Sequence, residues 1–300
     1  MSNETIDFKQ IHRSVGDLFA PLKSEADRSK CVISQDDVAS FHEKGFLRGP
    51  RILDDNQIEQ LRAALEKMRT GHNPRMKELY EIDAAYLASP EKHVFHFLGA
   101  WMIDELFHDI LFHPKVTVPI SQILGVDRVR MWHDQVFYKP AKHPGVVAWH
   151  QDYSYWTRST PCRHVTCWIG LDDSKPESGC VQFVPGSHRW DLLPKLSLLS
   201  DMEGIRTILT PEQLEAFKPE PMILKAGECS FHHGLTIHGS YGNSANHPRR
   251  AIVLNFMHPE TRSADGTRPL LVHTPIIPEG QIIEGTHYPI VYDAHLPLSS

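Results

Sequence analysis

The chain lacks the marks of several large protein classes. No apolar run approaches the roughly 18 residues that a membrane-spanning helix needs, and the polar opening MSNETIDFKQ predicts no secretory leader. There is no basic surplus. With 31 Lys and Arg against 37 Asp and Glu, the formal net charge is −6, which argues against nucleic-acid binding. Cysteine is scarce: Cys31, Cys162, Cys167, Cys180 and Cys229 are odd in number and contain no CxxC. Neither a disulfide framework nor a zinc ribbon is therefore expected, and a reducing, cytoplasmic setting is. GxSxG, a Walker loop and GxGxxG are all missing, which removes serine-hydrolase and nucleotide-binding readings. What is present is ordinary for a globular protein, with 300 residues, 41% of them hydrophobic and 23% charged. The exception is histidine, at 20 residues.

Helix signals come first along the chain. The opening thirty residues predict no firm element. Ser34 followed by Asp37 is a capping box leading into Val38 and Phe41 and stopping at Gly45. Asp54 to Gln57 repeats the device, with Ile58, Leu61, Leu65 and Met68 on one helical face. A third helix is predicted over 101–111, and a shorter one ending at Gly125. After Asp127 the segments become short, β-branched and aromatic, and punctuated by Pro, Gly and Asn. Strands are expected at Val129–Lys139, Val146–Asp152, His164–Leu171, Cys180–Val184, Pro221–Leu224, Cys229–Phe231, Ile237–Ser240 and Arg250–Met257. Helices followed by many strands imply an α+β chain, mainly β, built on an antiparallel sandwich or barrel. Leu192 to Lys218 reads as an insertion between two strands, and the Pro-rich end from Pro259 as a loop-like wrap.

The segment Trp149-His150-Gln151-Asp152 carries the chemistry. On a strand, residues i and i+2 share a face, so His150 and Asp152 can bind one metal ion together. The pair is weak evidence alone, because about 2.5 His-x-acid pairs are expected by chance from 20 His and 37 acids, and two occur. A third ligand has to come from another strand, and Phe231 to Ser240 offers His232, His233 and His238. Eleven residues past His238 stands Arg249. Two His and one carboxylate on one side of an octahedral ion leave three adjacent positions open, as in non-haem Fe(II) oxygenases. A buried Arg beside them suits a dicarboxylate co-substrate, which it grips as a bidentate fork.

The runs WHQDYSYW, CWIGLDD, SGCVQFVPGSH and IHGSYGNSANHPRRAI resemble the phytanoyl-CoA dioxygenase family of Fe(II)/2-oxoglutarate oxygenases over roughly residues 34 to 258. The resemblance implies a double-stranded β-helix, the jelly-roll or cupin-like barrel, with N-terminal helices packed on one side. It implies an extension over 1–33 and a single domain over 34–300: helical to about 126, jelly-roll over about 127–258, and a wrapping segment over 259–300. It assigns iron to His150, Asp152 and His238, the last because it opens the HGS motif that sets the distance to Arg249. It assigns 2-oxoglutarate to Arg249, Ser240, Trp168 and Lys139, the last through VFYKP. His233 falls at a supporting position near the turn. His188 and His258 read as surface or turn residues, Asp172 and Asp173 as a strand-end turn, and Pro185-Gly186-Ser187 as structural.

Alternation supplies an independent check. His133, Gln135, Phe137 and Lys139 share one face of their strand, and Thr166 and Trp168 oppose Val165, Cys167, Ile169 and Leu171 on theirs. Polar faces inside a barrel need a ligand or water to satisfy them, so a pocket is expected. Substrate contacts are expected from Gln135 and Phe137 by alternation, and from Tyr153, Tyr155 and Trp156 by nearness to the iron-binding strand. Lys92 to Phe97 is a candidate lid. The implied reaction uses Fe(II), 2-oxoglutarate and O2 to hydroxylate, or otherwise oxidise, an unactivated C–H bond of a small or mid-sized metabolite, releasing succinate and CO2. A carboxylate at Asp152, where related halogenases have a small residue, favours hydroxylation. The competing readings are a non-redox cupin-type metalloenzyme, which needs no Arg249, and a catalytically silent jelly-roll binding protein.

Overall fold

A computed structural model of the chain describes residues 6–82, 88–89, 93–198 and 201–296. Both capping boxes form. Ser34 Oγ accepts from Asp37 N and starts the helix Gln35–Lys44, which Gly45 ends in the left-handed region at φ 85°. Asp54 and Gln57 cap each other at the start of Asp55–Arg69, which buries Ile58, Leu61, Leu65 and Met68. The helix Pro114–Leu124 stops at Gly125. The continuous helix expected over 101–111 is broken into Ala100–Ile103, Glu105–Asp109 and a 3-10 turn Ile110–Phe112. The cause is Asp104, which is extended and turns its carboxylate onto the backbone N–H groups of Leu106 and Phe107, capping a new helix rather than continuing the old one. A short helix Glu25–Ser29, capped by Ser24, also forms where no element was expected.

Thirteen strands follow in chain order among the described residues. The first seven are β1 (Phe46–Arg51), β2 (Phe95–Phe97), β3 (Arg128–Lys139), β4 (Val147–His150), β5 (Ser159–Thr160), β6 (His164–Gly170) and β7 (Val181–Phe183). The rest are β8 (Glu220–Pro221), β9 (Glu228–His233), β10 (His238–Ser240), β11 (Arg249–Met257), β12 (Arg262–Ser263) and β13 (Ile290–Asp293). The larger sheet runs β1-β9-β6-β11-β3-β13 with β2 also on β3, and the smaller runs β4-β10-β7-β8. Their pairings are antiparallel, and the architecture is a jelly-roll barrel with helices on one side. Phe46, Trp168 and Val253 of the larger sheet meet Val181 and Phe183 of the smaller in one buried cluster, so the two sheets face each other.

The helices cover the outer face of the larger sheet, where Val165, Cys167, Ile169, Ile252 and Leu254 join Leu61, Leu65 and Ile120 in the main core. Alternation then turns Thr166, Trp168, Arg249 and Asn255 inward. The insertion between β7 and β8 contributes Met202, Ile205, Leu209 and Phe217, which pack around Trp149. The wrapping segment is not all loop, because β13 extends the larger sheet at Arg128–Arg130 of β3. The proposed lid is not a flap either: Phe95–Phe97 is β2, held on Val136–Tyr138 of β3, while Lys92 lies outside the described residues.

Candidate active site

The two imidazoles of the HxD…H pattern arrive as cross-strand neighbours, His238 of β10 facing His150 of β4. Gly239 lets β10 come this close, since a Cβ there would sit 3.1 Å from the Trp149 ring and from the Val147 carbonyl. The strand predicted to reach Asp152 ends at His150, and Asp152 opens a 3-10 turn. Alternation nonetheless survives, because Gln151 remains extended at φ −107° and ψ 128°. The buried Gln151 amide receives Leu193 N–H at 2.8 Å and donates to the Leu235 carbonyl at 3.0 Å, holding its side chain away from the two ligands.

One ligand atom from each of His150, Asp152 and His238 lies within 4.8 Å of the other two. The Nδ1 of His150 is 2.7 Å from the Ala148 carbonyl and that of His238 is 2.9 Å from the Thr236 carbonyl. Those carbonyls fix Nδ1 as the protonated nitrogen and leave each Nε2 lone pair free for a metal. Both Nε2 atoms face Asp152 Oδ1, at 3.3 and 3.6 Å. Burial, reinforced by neighbouring His150, pushes His238 well below the usual imidazole value. Burial alone raises the Asp152 carboxyl, but His238 and the contacts with His150 and His232 outweigh it and hold the group well below its ordinary range. Two imidazole nitrogens and one carboxylate oxygen on one side of a point are the donor set of an octahedral Fe(II) site with an open face.

Sequence reasoning left His232 outside this site. Its Nε2 lies 3.1 Å from Asp152 Oδ2, and Thr166 Oγ1 lies 3.0 Å from the same oxygen. The pair anchors Oδ2 and leaves Oδ1 toward the imidazoles. Period-2 alternation along Cys229–His233 places His232 on the inward face, but its role depends on register with Thr166 across β6, which is a long-range fact.

The other end of the inner face is cationic. Arg249 and Lys139 are cross-strand partners, 1% and 0% exposed. Lys139 Nζ donates to Ser240 Oγ at 2.7 Å and to the Tyr241 carbonyl at 2.5 Å, and Arg249 Nη2 reaches the same Ser240 Oγ at 3.3 Å. Trp168 lies under the guanidinium, with its ring 5.5 Å from Cζ. Burial, then the Arg249 charge, pushes Lys139 well below the usual lysine value, and burial lowers Arg249 to about 10. Among the described residues neither cation has an ion pair, and Arg249 Nε is buried with no hydrogen-bond partner. Like charges directly opposite on neighbouring strands repel, so this end of the barrel is built for an anion.

The sequence profile of phytanoyl-CoA dioxygenase (PhyH) matches residues 41–251. The chain belongs to the phytanoyl-CoA dioxygenase family. Within it, the chain is 24% identical over 263 residues to the phytanoyl-CoA dioxygenase domain-containing protein 1 homolog of Caenorhabditis briggsae, covering 73% of this chain and 88% of that one. Among solved structures, the non-heme alpha ketoglutarate dependent carbocyclase SnoK superposes with a TM-score of 0.70 at 20% identity, over 91% of this chain and 99% of that one. The epimerase SnoN, solved with Fe3+ and alpha ketoglutarate, superposes with a TM-score of 0.68 at 20% identity, over 89% of this chain and 100% of that one. This PhyH-family chain is accordingly a dioxygenase dependent on iron and 2-oxoglutarate. No helix among the described residues is long and apolar enough to cross a membrane, and all five cysteines are free.

In this PhyH-family barrel His150 and Asp152 lie where two chambers meet. The inner chamber runs to Arg249, Ser240 and Trp168. The outer one, about 310 Å³, is walled by Trp132, Phe137, Tyr155, Trp156 and Leu271. Gln135 and Phe137 line both chambers, and Tyr155 and Trp156 line the outer one. Tyr153 does not. It packs among the buried aromatics beside His164, and its hydroxyl donates to the Ser159 carbonyl at 2.6 Å.

Proposed function

We propose that the enzyme oxidises an unactivated C–H bond of a small or mid-sized metabolite held in the outer chamber, with release of succinate and CO2. In this reading His150, Asp152 and His238 hold iron, and Arg249, Ser240, Trp168 and Lys139 hold 2-oxoglutarate. The observation that carries it is the pairing, inside one barrel, of a two-His, one-carboxylate cluster with two buried cationic side chains that form no ion pair among the described residues. When bound, iron supplies the coupling of 2-oxoglutarate decarboxylation by O2 to removal of hydrogen from substrate.

The chain's own residues do the rest. Arg249 offers a planar fork to the far carboxylate of the keto acid. Trp168 keeps that fork in plane, and Lys139 adds a second charge through the Ser240 hydroxyl it shares with Arg249. Phe137, Val147 and Val253 give the inner chamber an apolar lining, which shelters the reaction from bulk water. Asp152 would give the iron a carboxylate ligand where related halogenases have a small residue, which favours hydroxyl transfer. A non-redox metalloenzyme would have no use for Arg249 and Lys139 at the end of the barrel.

The test is iron-dependent succinate release from 2-oxoglutarate, with dialysis against labelled 2-oxoglutarate beside it. Wild type is expected to bind the keto acid and form succinate, and Asp152→Ala to lose succinate formation. Failure of both proteins to bind 2-oxoglutarate would overturn the reading.

A further inference from the structure

Four polar residues form a row across four adjacent inner strands: His232 of β9, Thr166 of β6, Asn255 of β11 and His133 of β3. Asp152 caps one end of the row through Oδ2, and the His133 ring lines the outer chamber at the other. The row is continuous. Thr166 Oγ1 lies 3.0 Å from Asp152 Oδ2 and 2.8 Å from the amide position assigned as Asn255 Oδ1, and the position assigned as Asn255 Nδ2 lies 3.2 Å from His133 Nδ1. His133 Nδ1 is also 3.2 Å from the Asp134 carbonyl.

Counting hydrogens fixes the direction of every bond. An ionised Asp152 only accepts, so the single Thr166 hydroxyl hydrogen goes to Oδ2. Thr166 then has only lone pairs to offer Asn255, which must turn its NH2 toward Thr166. The two ends of a carboxamide exchange places by a half-turn at the same positions. The amide oxygen consequently faces His133 Nδ1, which must carry the hydrogen, and the Asp134 carbonyl asks for a hydrogen at the same nitrogen. The opposite polarity sets lone pair against lone pair twice, at Thr166–Asp152 and at His133–Asp134. Burial supports the neutral ring, lowering His133 to about 4.

His133 Nε2 is therefore a bare acceptor. It has no hydrogen-bond partner among the described residues and is not among the buried atoms sealed from solvent, so it opens to the chamber that its ring lines. We infer that His133 is a specificity-determining residue that accepts a hydrogen bond from the substrate, and that the substrate presents an O–H or N–H group beside a ring or hydrocarbon face. The face is set by Trp132, Trp156, Tyr155 and Phe137 around the same chamber. Because a site built for a hydrogen-bonding group rejects an analogue lacking it more strongly than an apolar pocket rejects an extra methylene, His133 selects a substrate donor. The inference rests on the oxygenase reading for the place of the substrate but has its own readout.

The experiment uses protein labelled with ¹⁵N-histidine, loaded with zinc as a closed-shell stand-in for iron and with 2-oxoglutarate. Long-range ¹H–¹⁵N correlation reads which ring nitrogen is protonated, and the signal missing from His133→Phe identifies His133. The expected result at pH 7 is hydrogen on Nδ1 and none on Nε2. Phenol is expected to shift the Nε2 resonance and anisole, its methyl ether, to leave it in place. Calorimetry is expected to show phenol binding at least tenfold more tightly than anisole to wild type, with the preference gone in His133→Phe. Hydrogen on Nε2, equal shifts from both probes, or no shift from either would overturn the inference, and the spectra of wild type decide this even if the variant does not fold. Loss of 2-oxoglutarate binding in the same samples would instead strike the oxygenase reading.

Discussion

Arg249 and Lys139 both carry charge into the barrel, yet they are not interchangeable. Arginine offers two parallel N–H donors to one carboxylate, whereas lysine is a point charge on a flexible stem. Replacing Arg249 with Lys keeps the charge and loses the fork. Hydrogen bonds to charged groups contribute about 1.5–3 kcal/mol each, so R249K is expected to raise the KM for 2-oxoglutarate by roughly ten- to a hundredfold, and kcat at saturation is expected to fall less. Succinate assays across 2-oxoglutarate concentrations check this, and an unchanged KM would remove Arg249 from the co-substrate site. At this scale the sequence was informative wherever a side chain's partner lies within a few residues or at a fixed strand period. His150 and Asp152 were readable because Gln151 keeps the backbone extended between them. His232 and Asn255 were not, because each acts through strands far away in the chain. Tyr153 was misplaced because the chain leaves the strand after His150 and enters a 3-10 turn.

Strand β10 is only three residues long, His238–Ser240, and its centre carries the constraint that sets the site. A methyl group on Gly239 would press on the Trp149 ring and the Val147 carbonyl at 3.1 Å. Relief has to come from moving β10 off β4, which separates His238 from His150. Gly239→Ala is therefore expected to cost about 1–3 kcal/mol of stability, as overpacked sites do, and to weaken metal binding more than stability. Urea midpoints and competition with a metal chelator measure the two effects, and full metal affinity in a destabilised variant would contradict the account. Most elements were legible where side chains repeat at a period of two or show a cap. Those missed had a local disguise. β1 contains Gly49 and Pro50, tolerable because it lies at the sheet edge, and β13 is a four-residue strand in a Pro-rich tail. The helix expected over 101–111 failed because Asp104 prefers to cap rather than continue.

The molecule as a whole buries several neutral histidines, and this makes it acid-sensitive. Burial lowers His113, His133 and His233 from 6.5 to about 4, and His164 to about 3. Below pH 6.5 the unfolded chain takes up protons on these rings while the folded chain does not, so stability falls with pH until the folded rings titrate near 4. Asp134 works the other way. Burial raises it from 3.8 to about 6, so between those values the folded state holds a proton that the unfolded state has released, and one of the four histidine protons is offset. Unfolding in urea at pH 7, 6 and 5 is expected to show stability dropping, with His113, His133, His164, His233 and Asp134 together contributing a net uptake approaching three protons. His164→Phe is expected to reduce that slope by about one, and a midpoint independent of pH over this range would refute the account. The facing cations of the inner chamber have a consequence beyond catalysis. Any small dicarboxylate seated between the imidazole cluster and Arg249 relieves a repulsion present only in the folded form, and such linkage favours that form in proportion to ligand supply. Malonate or succinate should therefore raise the melting temperature even in metal-stripped protein, whereas a monocarboxylate such as acetate should do so less.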